Sequence, residues 1–415
     1  MTGPLQHFTR EVDGSLARYH LRVERDGSGI LLANASQALR LSETGVLIAR
    51  SLLEGASRGR ISRDVALRFS GVDRSRASRD VDEVAAAIEG LARPSARAAL
   101  TSLDDPDATV HRRALSAPLA AELVSPGFGR GEEIIQKLWD VGIPQVRFVL
   151  PDGAVPGHLP RLIEFAEDLG MITGVRARAS DLPSDAAVRA MAMAGLDHLD
   201  LLWAGVDKKL HADLFGERDL ERANALIALA HELELFVVAV VPLLASILDD
   251  LDDLGEALSA QRIGAMVAYA IADEAGEGRV LAALELPQVA TTLEEEAEHF
   301  GENLVWAAPE ERDDSVSLVD QVKRGPRAAG EACIRIEADG RVIAPTGPAD
   351  AAGNLLTDPW EKIWANAAFE HWRESVDDPE RCAACPEISL CAGGCPKDRS
   401  TWATSASPAS PGGAR

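Results

Sequence analysis

A chain of 415 residues with 46% apolar composition exceeds what one hydrophobic core usually fills, so two or three domains are expected. Its formal charge of −24, from 66 acidic and 42 basic residues, excludes a general nucleic-acid binder, whose phosphate-tracking face needs an excess of Lys and Arg. The chain opens without a basic start and apolar run, and no segment approaches the roughly 20 apolar residues that span a bilayer, so the sequence reads as cytoplasmic with no membrane partner.

Residues 16–93 have the pattern of one small unit. A strand over residues 17–24, a turn at Arg25-Asp26-Gly27-Ser28-Gly29, a second strand from Ile30 and a third over residues 38–41 precede three helices. The first helix spans 42–53 with Ser42 as its cap, and the second spans 62–69. The third carries Ala77, Val81, Val84, Ile88 and Leu91 on one face. That order predicts a winged-helix-like module. Residues 94–116, bearing Pro, Asp and Arg without periodicity, form a linker.

From residue 117 short apolar runs alternate with amphipathic stretches. Runs at 119–124, 146–150, 171–175, 199–203, 235–241 and 266–271 are separated by helical patterns such as 132–139 and 159–169. Repeated βα units imply a parallel barrel or sheet. The acidic patch at 294–299 and the charged stretch 310–327 read as solvated surface, the latter irregular, and the Ser/Pro/Gly-rich tail after Ser400 reads as disordered. His198 and His211 are expected to satisfy local hydrogen bonds rather than to serve catalysis.

Five cysteines occur, none before Cys333, and four follow the spacing Cys-x2-Cys-x5-Cys-x3-Cys at Cys382, Cys385, Cys391 and Cys395. In a reducing compartment this clustering means ligation rather than disulfides, and Pro386, Gly393 and Gly394 let a short backbone wrap tightly around a metal. An iron-sulfur cluster and a tetrahedral zinc ion are both compatible with that spacing.

Residues 333–396 resemble the SPASM domain, the auxiliary-cluster module of radical S-adenosylmethionine (SAM) enzymes that mature peptides. The resemblance rests on Cys333-Ile-Arg-Ile-Glu-Ala-Asp-Gly340, Gly353-Asn354-Leu355, Trp360-Glu-Lys-Ile363-Trp364, Phe369, Trp372 and the run from Cys382 to Pro396. It implies that Cys382, Cys385 and Cys391, with one cysteine nearer the carboxyl end, ligate one 4Fe-4S cluster, and that Cys333 and Cys395 serve another. Pro345 stands where the family has a further cysteine and none follows Cys395, so one cluster is expected from these five thiols.

Upstream, residues 117–271 resemble a radical SAM barrel whose landmarks are lost. The first strand runs into Ser125-Pro126-Gly127-Phe128-Gly129-Arg130 instead of Cys-x3-Cys-x2-Cys. Leu150-Pro151-Asp152-Gly153 replaces Gly-Gly-Glu-Pro, and Ala204-Gly205 replaces Asp-Gly. Losing all three thiolates removes the path of electrons into SAM, so SAM binding is not expected and the domain reads as a pseudo-enzyme.

The first unit resembles a PqqD-type element that recognises the leader of a ribosomally made precursor peptide, through residues 19–23, 29–34, 39–41, 42–45 and 74–91. In that family a leader adds as a strand beside the third strand and lies against the third helix. The resemblance places peptide contacts at Ala38, Leu39, Arg40 and Leu41 and at Arg76, Arg79, Asp80 and Glu83. On the residues alone, the favoured reading of this helix face is a solvated surface with i,i+4 pairs such as Arg76–Asp80 and Arg79–Glu83.

The expected fold is therefore α/β. It comprises a PqqD-like element (16–93), a linker (94–116), a degenerate radical SAM-like partial (β/α) barrel (117–325), a SPASM-like iron-sulfur domain (326–400) and a disordered tail (401–415). The expected role is capture of a precursor peptide for an active radical SAM partner enzyme. The alternatives are an iron-sulfur enzyme that works through the auxiliary cluster without cleaving SAM, and a zinc-stapled adaptor.

Overall fold

In a computed structural model of the chain, the described residues are 5–12, 15–33, 37–92, 115–124, 128–150, 155–205, 207–248, 251–300, 304–329, 333–374 and 395–405. The first elements are four antiparallel strands in the order β1 (Leu5–Val12), β2 (Ser15–Val23), β3 (Gly29–Ala33) and β4 (Gln37–Leu41). Helices α1 (Glu43–Leu53), α2 (Arg58–Arg68) and α3 (Arg74–Ala92) follow. Ser42 caps α1, its hydroxyl accepting from the Gly45 amide at 3.2 Å. The sheet has one strand more than the sequence pattern predicts, because β1 is an edge strand in which only Leu5 is buried and no apolar alternation announces it. In β2 the alternation splits two ways. Ala17, Tyr19 and Leu21 enter the module's own core, whereas Arg18, His20 and Arg22 point from its other face.

The second body is a parallel sheet of βα units. Its strands are β5 (Ala120–Val124), β6 (Gln145–Val149), β7 (Ile172–Ala177), β8 (His198–Leu202), β9 (Phe236–Leu243) and β10 (Ala265–Asp273), each hydrogen-bonded to the next in chain order. The intervening helices are α4 (Phe128–Val141), α5 (Leu159–Leu169), α6 (Asp185–Met193), α7 (Lys208–Phe215), α8 (Asp219–Glu232), α9 (Ala245–Leu248) and α10 (Leu251–Ala260). Nearly every residue of these strands is buried, as expected of a parallel sheet covered on both faces.

Beyond β10 lie β11 (Leu281–Ala282), α11 (Leu286–Phe300), β12 (Leu304–Trp306), β13 (Glu310–Glu311) and α12 (Leu318–Arg324). The chain then returns to the opposite end of the sheet. There β14 (Cys333–Ile336) pairs in parallel with β5 and β15 (Arg341–Ile343) pairs with β14; β16 (Gly347–Pro348) belongs to the other end of the sheet, and β17 (Ala351–Asn354), back beside β15, leads to α13 (Trp360–Trp364) and α14 (Ala367–Glu374). Trp360, Trp364, Phe369 and Trp372 form one aromatic cluster with centroids 5.2–6.3 Å apart. The indole N–H groups of Trp360 and Trp364 donate to the Ser116 and Leu115 carbonyls, both at 2.9 Å, which fastens the entry to β5 onto this last region.

Two sequence expectations are corrected. The charged stretch 310–327 is not irregular solvated surface: it contains β13 and α12, and Gln321 is buried with its amide donating to the Glu311 carbonyl (2.9 Å) and its oxygen accepting from Asp313 N (3.0 Å). The tail expected to be disordered from 401 is folded as far as Ser405. Thr401 and Trp402 are buried, and β18 (Ala403–Thr404) pairs with β13 and β16. Residues 406–415 lie outside the described residues.

Candidate functional site

Each of four consecutive buried strands carries a charged side chain: Glu122, Arg147 and Asp200 at the middle of β5, β6 and β8, and Arg176 next to the last residue of β7. Strand register sets Glu122 opposite Arg147 and Arg176 opposite Asp200, so all four share one face of the sheet. Glu122 accepts from Arg147 Nη1 (2.8 Å), Arg176 Nη1 (2.8 Å), Arg176 Nη2 (2.6 Å) and the Ala329 amide (2.9 Å). Arg147 Nε lies 2.5 Å from Asp200 Oδ2, and Asp200 Oδ1 meets His198 Nδ1 at 2.6 Å. The amide of Gln145 approaches His198 Nε2 at 3.2 Å, an arrangement that fits the tautomer protonated at Nδ1.

Burial opposes charge on Arg147, but Asp200 and Glu122 outweigh it and hold its pKa above the ordinary value. Burial likewise opposes charge on Asp200, yet Arg147, His198 and Arg176 bring its pKa below the ordinary carboxylate value. Arg147 and Asp200 are thus held in their charged forms, within a layer that sets two carboxylates against two guanidinium groups in the protein interior. Gly174 makes room for it: a Cβ there would lie 2.0 Å from His198 Cε1. No motif marks these residues in the sequence. The signal was a lone charge inside four successive apolar runs, a costly placement unless the charges pair.

His198 and His211 do satisfy local bonds as expected, His211 Nε2 meeting Asp219 Oδ2 at 2.9 Å in a buried setting.

Of the five thiols expected to bind metal, Cys382, Cys385 and Cys391 lie outside the described residues. Cys395 is buried in a turn whose main chain is fixed by Thr401 and Trp402: its amide donates to Thr401 Oγ1 (2.8 Å) and its carbonyl accepts from the Trp402 indole (3.1 Å). Cys333 is buried on β14 against Ala120 and Ala328, on the face that carries Glu122. Burial, and after it the Glu122 carboxylate, push its thiol up to about 12. That setting favours the protonated thiol over the thiolate that a metal needs. Among the described residues, no group of three or more His, Cys, Asp and Glu is arranged to hold a metal ion.

The residues expected to meet a peptide fall on two elements. Ala38, Leu39, Arg40 and Leu41 belong to β4, the last strand of its sheet, paired with β3 on one side. Arg76, Arg79, Asp80 and Glu83 lie in the first half of α3, Asp80 half-buried and the others exposed.

The far face of β2 docks on the parallel sheet. Arg22 donates to the Pro118 carbonyl (2.7 Å) and the Gly142 carbonyl (3.2 Å) and pairs with Glu24 (2.7 Å), which in turn accepts from the Ser116 amide (2.8 Å). Arg18 bridges Glu167 and Asp197, and His20 contacts the Gly170 carbonyl. The first module is thus held against the loops at the amino-terminal ends of β5 to β8.

No protein-family model and no curated protein matches the sequence. The fold is similar to that of SuiB from Streptococcus suis. The crystal structure of SuiB bound to S-adenosylmethionine aligns over 94% of this chain and 95% of its own, with a TM-score of 0.55 and 15% identity. SuiB bound to the precursor peptide SuiA aligns over 90% and 93%, with a TM-score of 0.54 and 15% identity. Among the described residues, no helix is long and apolar enough to cross a membrane.

Proposed function

We propose that this chain is a degenerate protein of the radical SAM/SPASM peptide-maturase type, which captures a precursor's leader with its first module and presents it to an active radical enzyme. The observation that carries this reading is the junction after β5. Helix α4 begins at Phe128 and β5 ends at Val124, so only residues 125–127 separate them, too few for a Cys-x3-Cys-x2-Cys run, and no cysteine occurs before Cys333. The layer of Glu122, Arg147, Arg176 and Asp200 supports a scaffold role for the parallel sheet, because it fills one face with paired charge.

The likeness to SuiB, crystallised with a precursor peptide, spans nearly all of both chains and supports this reading. The outer edge of β4 offers main-chain groups to an added strand, and Arg76 and Arg79 on α3 offer charge to an acidic leader. In this reading residues 16–93 recognise the leader, 94–116 link, 117–325 form the scaffold and 326–400 form a SPASM-like domain. Cys382, Cys385, Cys391 and Cys395 would hold one 4Fe-4S cluster, which supplies structural or electron-carrying support.

Two measurements test this. Anaerobically purified protein is expected to contain about four iron and four sulfide per chain, as one cubane requires, and to release no 5′-deoxyadenosine from SAM. Zinc in place of iron would favour the adaptor, and 5′-deoxyadenosine production would overturn the pseudo-enzyme reading. Titration of the full chain with the leader of a small peptide encoded beside its gene is expected to show binding that Arg79→Glu weakens. An absence of binding to every such neighbouring peptide removes the recognition role.

A further inference from the structure

The stretch from Val322 to Ala329 lies across the charged face of the parallel sheet, and side chains from four strands hold its main chain. Tyr269 on β10 donates its hydroxyl to the Val322 carbonyl at 2.8 Å, and Arg176 on β7 donates to the Pro326 carbonyl at 2.7 Å. Glu122 on β5 accepts from the Ala329 amide at 2.9 Å, and Glu310 on β13 accepts from the Arg327 amide at 2.7 Å. Register carries the face of Glu122, Arg176 and Asp200 through β9 to Tyr269, so three of these four contacts come from one surface. Gly325 has φ +67°, and a Cβ there would lie 3.1 Å from Leu202 Cδ2 and 3.5 Å from Arg176 Nε. Only a bare main chain passes so close with that backbone.

Side chains on separate strands that bond main-chain groups along one segment fix its path across a face, and here the segment runs from the last turn of α12 into the loop that follows it. We infer that residues Val322–Ala329 are a resident plug, which occupies the charged face of the parallel sheet in cis and closes it to other ligands. Arg147 Nη2 and Arg176 Nε, on the same face, are buried without a hydrogen-bond partner among the described residues, so an anion drawn to them has to displace the plug first. This inference does not depend on leader binding by the first module.

Amide hydrogen exchange on the full chain tests it. The Arg327 and Ala329 amides are expected to exchange as slowly as those of β7 and β8. Tyr269→Phe removes the side-chain donor to Val322, whose carbonyl keeps only the Gly325 amide (3.0 Å), and Gly325→Ala forces a side chain against Leu202. Each is expected to speed exchange across 319–329 about tenfold, the effect of one lost buried hydrogen bond or its steric equivalent, with β7 and β8 unchanged. Exchange at Arg327 and Ala329 as fast as at the exposed turn residues Arg25 and Asp26 would overturn the inference, and so would two folded variants that leave 319–329 unaltered. Should one variant fail to fold, the wild-type rates and the other variant still decide.

Discussion

Glu122 on β5 and Arg176 on β7 are joined across the intervening strand by two parallel bonds, Oε1 to Nη1 at 2.8 Å and Oε2 to Nη2 at 2.6 Å. Arg147, on that intervening strand, shares the same Oε1 at 2.8 Å. Glu122 thus pairs with two buried guanidinium groups, and since Arg147 also has Asp200, removing the Glu122 charge falls chiefly on Arg176. Glu122→Gln is expected to cost about 3–5 kcal/mol, the usual penalty for breaking a buried pair from one side. Urea unfolding measures it as a lower midpoint with an unchanged slope. A loss below about 1 kcal/mol would place the layer in the class of weak surface pairs.

Gly174 and His198 face each other on β7 and β8 in direct register. An added methyl at Gly174 overlaps the imidazole, which is itself held by Asp200 and Gln145 and has nowhere to retreat. Gly174→Ala is expected to destabilise by about 1–3 kcal/mol, as overpacking does. Gly174→Ala with His198→Ala should recover part of that loss, giving a non-zero coupling in a double-mutant cycle. Strict additivity would mean that the two sites do not share the space.

His20 ties the first module to the parallel sheet and lies fully buried, with its pKa lowered from 6.5 to about 3. Burial is the main cause; the bond to the Gly170 carbonyl works the other way, and His7 and Arg18 add to the lowering. The folded state therefore binds a proton less readily than the unfolded chain. Stability from this group is complete above about pH 6.5 and is lost as pH falls from there toward 3. Glu167 and Asp197 at the same interface have raised pKa values, chiefly from burial, and pull the opposite way in the carboxylate range. Comparing wild type with His20→Gln cancels their contribution: the variant should have a shallower decline in stability below pH 6.5. Parallel pH profiles for the two proteins would remove His20 from the interface account.

The βα order was legible because each parallel strand is a short apolar run bounded by a helix, and burial on both faces writes that directly into sequence. Ser42 was legible as a cap for the same local reason. Three features were not. β1 has no apolar alternation, since an edge strand needs little. The polar face of β2 looks solvated in sequence, yet Arg18, His20 and Arg22 find their partners at Glu167, Asp197, Gly170, Pro118 and Gly142, more than a hundred residues away for most of them. The charged stretch around α12 looks like surface because its partners, Glu122, Arg176 and Tyr269, sit on strands far upstream. Long-range polar pairing leaves no periodic signature, so one sequence cannot reveal it.

Cys333 lies on a strand of the parallel sheet, whereas Cys395 sits in a turn. The pairing of Cys333 with Ala120 turns it toward the face of Glu122, where burial and that carboxylate favour the protonated form. A ligand to a metal must give up that proton, which burial and the Glu122 carboxylate oppose more than Arg147 and Arg176 assist. Cys333→Ala is therefore expected to leave iron per chain unchanged, whereas Cys385→Ala abolishes bound iron. Iron and sulfide analysis of the two anaerobically purified variants decides between them. Loss of iron in Cys333→Ala, with an unchanged unfolding midpoint, would return Cys333 to the ligand set and require the loop around it to rearrange when the cluster binds.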